Sequence, residues 1–274
     1  MTTNKMASKK TVSKQKASLH VQADPWQHLK GYTPARIALG RTGVSLPTQE
    51  ILDFGLAHAM ARDAVHLPLN IAALCAELEA ADFATITVET AVDNRQTYLL
   101  RPDLGRCLSE ASASKLAAHP HKGFDLALLI GDGLSSMAIK NHALPMLQAL
   151  REQTPPDWKV APVIIASQAR VALSDEVGNI VKARLILMLV GERPGLSSPD
   201  SLGMYLTYDP KPGRQDSERN CISNIRAEGL QYKAAAYKAI WLACEAMRLK
   251  CTGVKLKDQS DLNTVTSEAF IALK

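Results

Sequence analysis

Residues 185–190, Leu-Ile-Leu-Met-Leu-Val, contain no polar side chain. A strand with one wet face alternates apolar and polar positions, whereas a strand apolar throughout needs cover on both faces. In a large domain that cover is a layer of helices above the sheet and another below. At 274 residues the chain is long enough for one such domain, or for one with a smaller partner, and for a sizeable core. From Arg101 onward the texture agrees. Residues 103–118 read as a helix leading to a strand at Phe124–Ile130. A second helix, 134–151, leads through Pro155-Pro156 to a strand at Val160–Ala166, and a short helix at 175–183 precedes the apolar run. Residues 231–250 make the best amphipathic helix, with Tyr237, Ile240, Trp241, Cys244 and Met247 recurring every three or four places. Strands that alternate with helices need crossover connections, so the expected class is α/β with a mostly parallel sheet.

Ahead of this lies a smaller region, 21–100, of helical and hairpin character. Residues 31–43, GYTPARIALGRTG, read as a long loop, and 47–64 as a helix carrying Ile51, Phe54, Leu56, Ala57 and Met60. "ATITVETA" and "QTYLL", on either side of Asp93-Asn94 within 84–100, predict a hairpin. Residues 101–255 form the main domain and 256–274 a C-terminal extension.

A net charge of +5 invites a nucleic-acid reading, but residues 1–20 hold five lysines and no acid, so the rest of the chain sums to zero. A neutral body lacks the phosphate-neutralising surface that such binding needs, and the basic leader reads as a disordered tail. No window holds the ~18 uninterrupted apolar residues of a membrane span, and the leader has no apolar core of the secretory kind. The five cysteines are scattered, with no C-x-x-C pair. These features together predict a cytoplasmic protein with reduced thiols.

In open parallel sheets ligands sit beyond the carboxyl ends of the strands, which selects the loops 131–136, 167–174 and 191–198. Gly131-Asp132-Gly133-Leu134-Ser135-Ser136 is neither a G-x-G-x-x-G nor a P-loop. It reads as a tight turn with Asp132 or Ser135 capping the next helix, with a ligand role for Asp132 as the alternative. In Gly191-Glu192-Arg193-Pro194-Gly195 the glycines permit a close approach of a bulky ligand or a positive φ. Ser198-Pro199 resembles an N-cap with its first helical residue. Two readings of Glu192 stay open: a surface salt bridge to Arg193 or Arg184, worth little, or a fixed acceptor for amide or hydroxyl donors on a ligand. His119 and His121 straddle a proline, too close for a helical metal pair. No G-x-S-x-G elbow is present, and Cys221 reads as a buried structural thiol. The residues alone thus give an α/β ligand-binding protein with no assigned catalytic or metal-ligating side chain.

An ordered series of stretches goes further: "TPARIALGRTGVSLPT" at 33–48, "RPDLGR" at 101–106, "DGLSSMAI" at 132–139, "ARVALSDEVG" at 169–178, "LVGERPGLSSPDSLGMYLTY" at 189–208 and "RNCISNIR" at 219–226. The series resembles the small (light) subunit of ethanolamine ammonia-lyase. The resemblance implies a Rossmann-like domain that closes over adenosylcobalamin at an interface with a large β/α-barrel subunit holding ethanolamine, six large and six small chains assembling together. It implies conversion of ethanolamine to acetaldehyde and ammonia by a radical route, and cofactor contacts at Val171, Glu192 and Cys221. The chain has no Asp-x-His-x-x-Gly, the motif of cobalamin proteins that place a histidine on cobalt, which matches a family that keeps the cofactor's own base there. Ala169 stands where the family pattern suggests glycine. The lysine-rich leader aligns with no family N-terminus, which leaves delivery to a bacterial microcompartment open. Competing classes are a stand-alone nucleotide-binding oxidoreductase, which would need the missing phosphate fingerprint, and a non-catalytic scaffold.

Overall fold

A computed structural model describes residues 21–261. The described residues divide into two compact units, with the boundary between Ala57 and His58. The basic leader and most of the C-terminal extension lie outside the described residues. In the first unit, residues 31–43 form the long loop, tied by an isolated bridge between Gln22 and Arg41.

Seven α-helices and six strands are described. In chain order they are α1 (Thr48–His66), α2 (Ile71–Ala80), β1 (Thr85–Glu89), α3 (Arg95–Leu100), α4 (Glu110–Ala117), β2 (Leu126–Gly131) and α5 (Ser136–Gln153). There follow β3 (Val163–Ser167), α6 (Leu173–Ile180), β4 (Leu185–Gly191), β5 (Leu202–Tyr208), β6 (Asn220–Ile225) and α7 (Tyr232–Leu249). One sheet takes all six strands in the order β1-β3-β2-β4-β5-β6. The first four are mutually parallel, and β5 and β6 extend the sheet antiparallel beyond β4.

The apolar run occupies β4, and its cover is two-sided. Leu185, Leu187 and Leu189 join a core with Ile139, Ala143 and Met146 of α5 and Ala239, Ile240 and Ala243 of α7. Ile186, Met188 and Val190 join a second core with Leu116 of α4 and Leu173 and Val177 of α6. Period-two alternation therefore sends neighbouring side chains into different cores. Each fully buried side chain of this size contributes roughly 1.5–3 kcal/mol, so β4, buried at all its positions, is held firmly in the sheet.

The caps explain where several helices begin. Asn70, Asn94, Ser109 and Ser135 each accept a backbone N–H three residues on, at the starts of α2, α3, α4 and α5. This corrects the expected hairpin at 84–100. Asn94 is a helix cap, Arg95–Leu100 is helical, and β1 pairs parallel with β3, Thr85 opposite Val163 through Glu89 opposite Ser167. The predicted helix 103–118 is shorter as well: a single 3-10 turn at Leu104–Arg106 comes first, and α4 starts only after Ser109. No helix starts at Pro199; residues 192–201 are a loop that returns as β5.

Candidate functional site at the strand ends

The loops after β2, β3 and β4 meet above the carboxyl edge of the parallel strands, and Gly191 shows how tightly. A Cβ there would stand 2.0 Å from the Ser135 carbonyl oxygen and 2.6 Å from that of Asp132. The missing side chain thus makes room for the neighbouring loop of the protein itself, and no positive φ is involved. Leu134 N donates to the Gly191 carbonyl at 2.9 Å, which locks the two loops edge to edge.

Asp132 is buried and structural. Its carboxylate takes Arg95 Nη1 at 2.9 Å and the Ala169 amide at 3.1 Å, so the β2 loop, α3 and the β3 loop share one anchor. Burial pushes this carboxyl upward, while Arg95 and the amides of Ala169, Gln168 and Gly133 pull it back. Ser135, not Asp132, is the cap of α5. Beside them Tyr98 is wedged between two guanidinium groups, Arg95 at 4.7 Å and Arg170 at 4.2 Å from its ring centroid. Its hydroxyl donates to the Ala169 carbonyl at 3.0 Å. Burial raises the Tyr98 phenol pKa, so the group stays protonated and acts as a donor.

Two adjoining cavities open here. One of about 440 Å³ is lined by Tyr98, Leu134, Val171, Glu192, Arg193 and Tyr205, among others. A larger one of about 740 Å³ shares Arg170, Val171 and Tyr205 with the first and continues past Arg106, Cys107 and Glu176. Val171 and Glu192 therefore line a common cleft. Cys221 lines neither cavity, but it is the cross-strand partner of Tyr205, which lines both.

Glu192 pairs with neither Arg193 nor Arg184; the latter binds Asp125 at 3.0 Å. Its Oε2 instead accepts from Ser201 Oγ at 2.5 Å and from the Asn224 amide at 3.2 Å. Among the described residues no hydrogen bond falls on Oε1, so the carboxylate is a fixed acceptor with one oxygen in reserve. A Cβ on Gly203 would stand 3.0 Å from that oxygen, so a bare strand beneath lets Oε1 keep its place.

Cys221 is exposed, which corrects the expectation of a buried thiol: β6 lies at the sheet edge and turns this position outward. The sulfur is nevertheless crowded by protein atoms. Desolvation pushes its pKa up, a hydrogen bond with Tyr205 works the other way, and the nearby Glu192 charge adds to the rise.

Under the larger cavity, Arg219 of the turn before β6 forms a two-pronged pair with Asp175 of α6, at 2.6 and 2.7 Å. Tyr205, Arg170, Arg95 and this pair were not singled out from sequence. The hydrogen-bond partners of Arg95, Arg170 and Arg219 lie 37, 72 and 44 residues away, and Tyr205 meets Cys221 only through strand pairing, so no local pattern could have pointed to them. Among the described residues no group of three or more His, Cys, Asp and Glu side chains is placed to hold a metal ion. No helix among them is long and apolar enough to cross a membrane.

A cleft of this kind, walled by divergent strand-end loops with Asp175 of the buried ion pair in its lining, defines an α/β protein with a candidate ligand site at the carboxyl edge of its sheet. Comparison with known proteins gives the particular family. The family model for the ethanolamine ammonia-lyase light chain (EutC) matches residues 23–257, and the chain belongs to that family. It is 52% identical over 256 residues to the ethanolamine ammonia-lyase small subunit of Pseudomonas fluorescens strain Pf0-1, covering 92% of this chain and 93% of that protein. It is 51% identical over 251 residues to the same subunit of Pseudomonas syringae pv. tomato DC3000, covering 90% and 87%.

Proposed function

We propose that this chain is the small subunit of an adenosylcobalamin-dependent ethanolamine ammonia-lyase, which converts ethanolamine to acetaldehyde and ammonia. The observation that carries the proposal is the placement of Val171 and Glu192 on one strand-end cleft, with Cys221 paired across the strands to Tyr205 at its wall. The partner is a large subunit that holds the substrate, in an assembly of six large and six small chains. The chain works in the cytoplasm, and its lysine-rich leader is a candidate address for a microcompartment.

The residues suit a large, flat ligand rich in amide and hydroxyl donors. Glu192 offers a carboxylate fixed by Ser201 and Asn224, with Oε1 left to accept. Val171 and the Tyr205 ring provide apolar surface, and Arg170 and Arg193 add donors to the same wall. The chemistry that adenosylcobalamin supplies when bound is homolysis of its cobalt–carbon bond. The part left to this chain is to bind, orient and shield. Packing of the three loops against one another keeps that wall rigid, so little order remains to be imposed on binding.

The proposal is tested by co-expression with a candidate large subunit. Expected is a stable complex that, after incubation with adenosylcobalamin and desalting, keeps the visible absorbance of a corrinoid. A complex that stays colourless would favour a scaffold, and retention of a nicotinamide nucleotide instead would favour the stand-alone oxidoreductase.

A further inference from the structure

We infer that Ser201 is a positioning residue that acts on the cofactor through Glu192; this rests on the proposed role of Glu192 as a cofactor acceptor. Ser201 is 6% exposed and closes the loop between β4 and β5. Two hydrogen bonds join it to Glu192 in opposite senses. The Ser201 hydroxyl donates to Glu192 Oε2 at 2.5 Å, and the Glu192 amide donates to the Ser201 carbonyl at 2.9 Å. The second donor to Oε2, the Asn224 amide, depends on a left-handed φ of 58° at that residue. Gly203 leaves room beside Oε1, where a Cβ would stand 3.0 Å away.

The anchor does not drift, because the residues before it are pinned from outside the cleft. Ser135 Oγ donates to the Pro199 carbonyl at 2.7 Å. The Asp200 carboxylate lies 3.1 Å from His142 Nε2 and accepts from Asn141 Nδ2 at 3.2 Å, while His142 Nδ1 is 2.7 Å from the Tyr232 hydroxyl. Residues 199–201 are therefore fixed to α5 and α7, and Ser201 passes that order on to one carboxylate. An unanchored glutamate would give up rotamer freedom when it met a ligand; one held beforehand does not, and binding is tighter by that difference.

The test is a set of adenosylcobalamin titrations, followed by absorbance, on the complex with the large subunit. The variants are Ser201→Ala, Glu192→Gln and the double variant, with thermal melting of each complex in parallel. Expected is a roughly three- to tenfold rise in Kd for Ser201→Ala and a roughly ten- to hundredfold rise for Glu192→Gln. The double variant should be no weaker than Glu192→Gln alone within about twofold, because two residues that act through one contact are not additive. Turnover at saturating cofactor should be retained by Ser201→Ala. Should the alanine variant not assemble, Ser201→Thr and Ser201→Val match each other in shape and differ in the hydroxyl, and only the valine form should bind weakly. Unchanged affinity in Ser201→Ala, or additive losses in the double variant, would overturn the inference while leaving Glu192 its role. Unchanged affinity in Glu192→Gln would overturn both together.

Discussion

Asp175→Ala should destabilise the purified chain by about 3–5 kcal/mol, a large effect for one carboxylate. Arg219 and Asp175 have side chains only 1% and 3% exposed, and they share two bonds of 2.6 and 2.7 Å. Burial alone would depress the guanidinium pKa, and Asp175, helped by Asp216, more than reverses that, so the group is held charged. Removing Asp175 leaves the cation with Thr207 Oγ1 at 3.1 Å and the Arg214 carbonyl at 3.0 Å, both neutral. Asp216 stands 3.5 Å from Nε, but its side chain is 97% exposed and screened, so it offers little replacement. The cost is that of stranding a buried charge, not the net worth of the pair. Asp175→Leu combined with Arg219→Met should therefore lie within about 2 kcal/mol of wild type. Urea denaturation followed by far-ultraviolet circular dichroism measures all these variants. Asp175→Ala within about 1 kcal/mol of wild type, or a double variant as weak as the sum of the singles, would refute the reasoning.

Two further outcomes follow from the same geometry. Gly191→Ala should destabilise the chain by at least about 1–3 kcal/mol, because its Cβ would stand 2.0 Å from a backbone oxygen that no rotamer change can move; thermal melting reads this, and an unaltered midpoint would contradict it. Cys221, though exposed, should alkylate slowly near neutral pH, since its pKa is raised and the thiolate is the reactive form. Glu192→Gln removes a negative charge that opposes thiolate formation, so the pH profile of Cys221 labelling, followed by mass spectrometry, should move to lower pH; a move to higher pH would reverse the assigned sign.

The legible parts of the fold were those in which every residue of a segment says the same thing. β4 is apolar at each position, and only two-sided burial accounts for that. α7 and α5 show helical spacing over five turns. β5 and β6 were passed over because they pair antiparallel at the edge, where Gly203, Tyr205, Cys221 and Asn224 interrupt any clean alternation. Asp93-Asn94 misled for a different reason: an asparagine serves a hairpin turn and a helix cap equally well, and the choice is made by the parallel pairing of β1 with distant β3. At the site, the strand-end rule found the three loops. It could not find what fixes them, because Arg95 meets Asp132, and Arg219 meets Asp175, only after folding. A glycine at 191 suggests room for a ligand or a positive φ, and the structure shows neither: its space is filled by the protein's own backbone.

The central claim is that this chain supplies one wall of a shared cofactor site and no complete active site of its own. It is tested most directly by measuring ammonia release from ethanolamine in four mixtures: this chain with adenosylcobalamin, the large subunit with adenosylcobalamin, both chains without it, and all three components. Turnover should appear only in the last. Sustained ammonia release by this chain and cofactor alone, or full activity of the large subunit without this chain, would contradict the account.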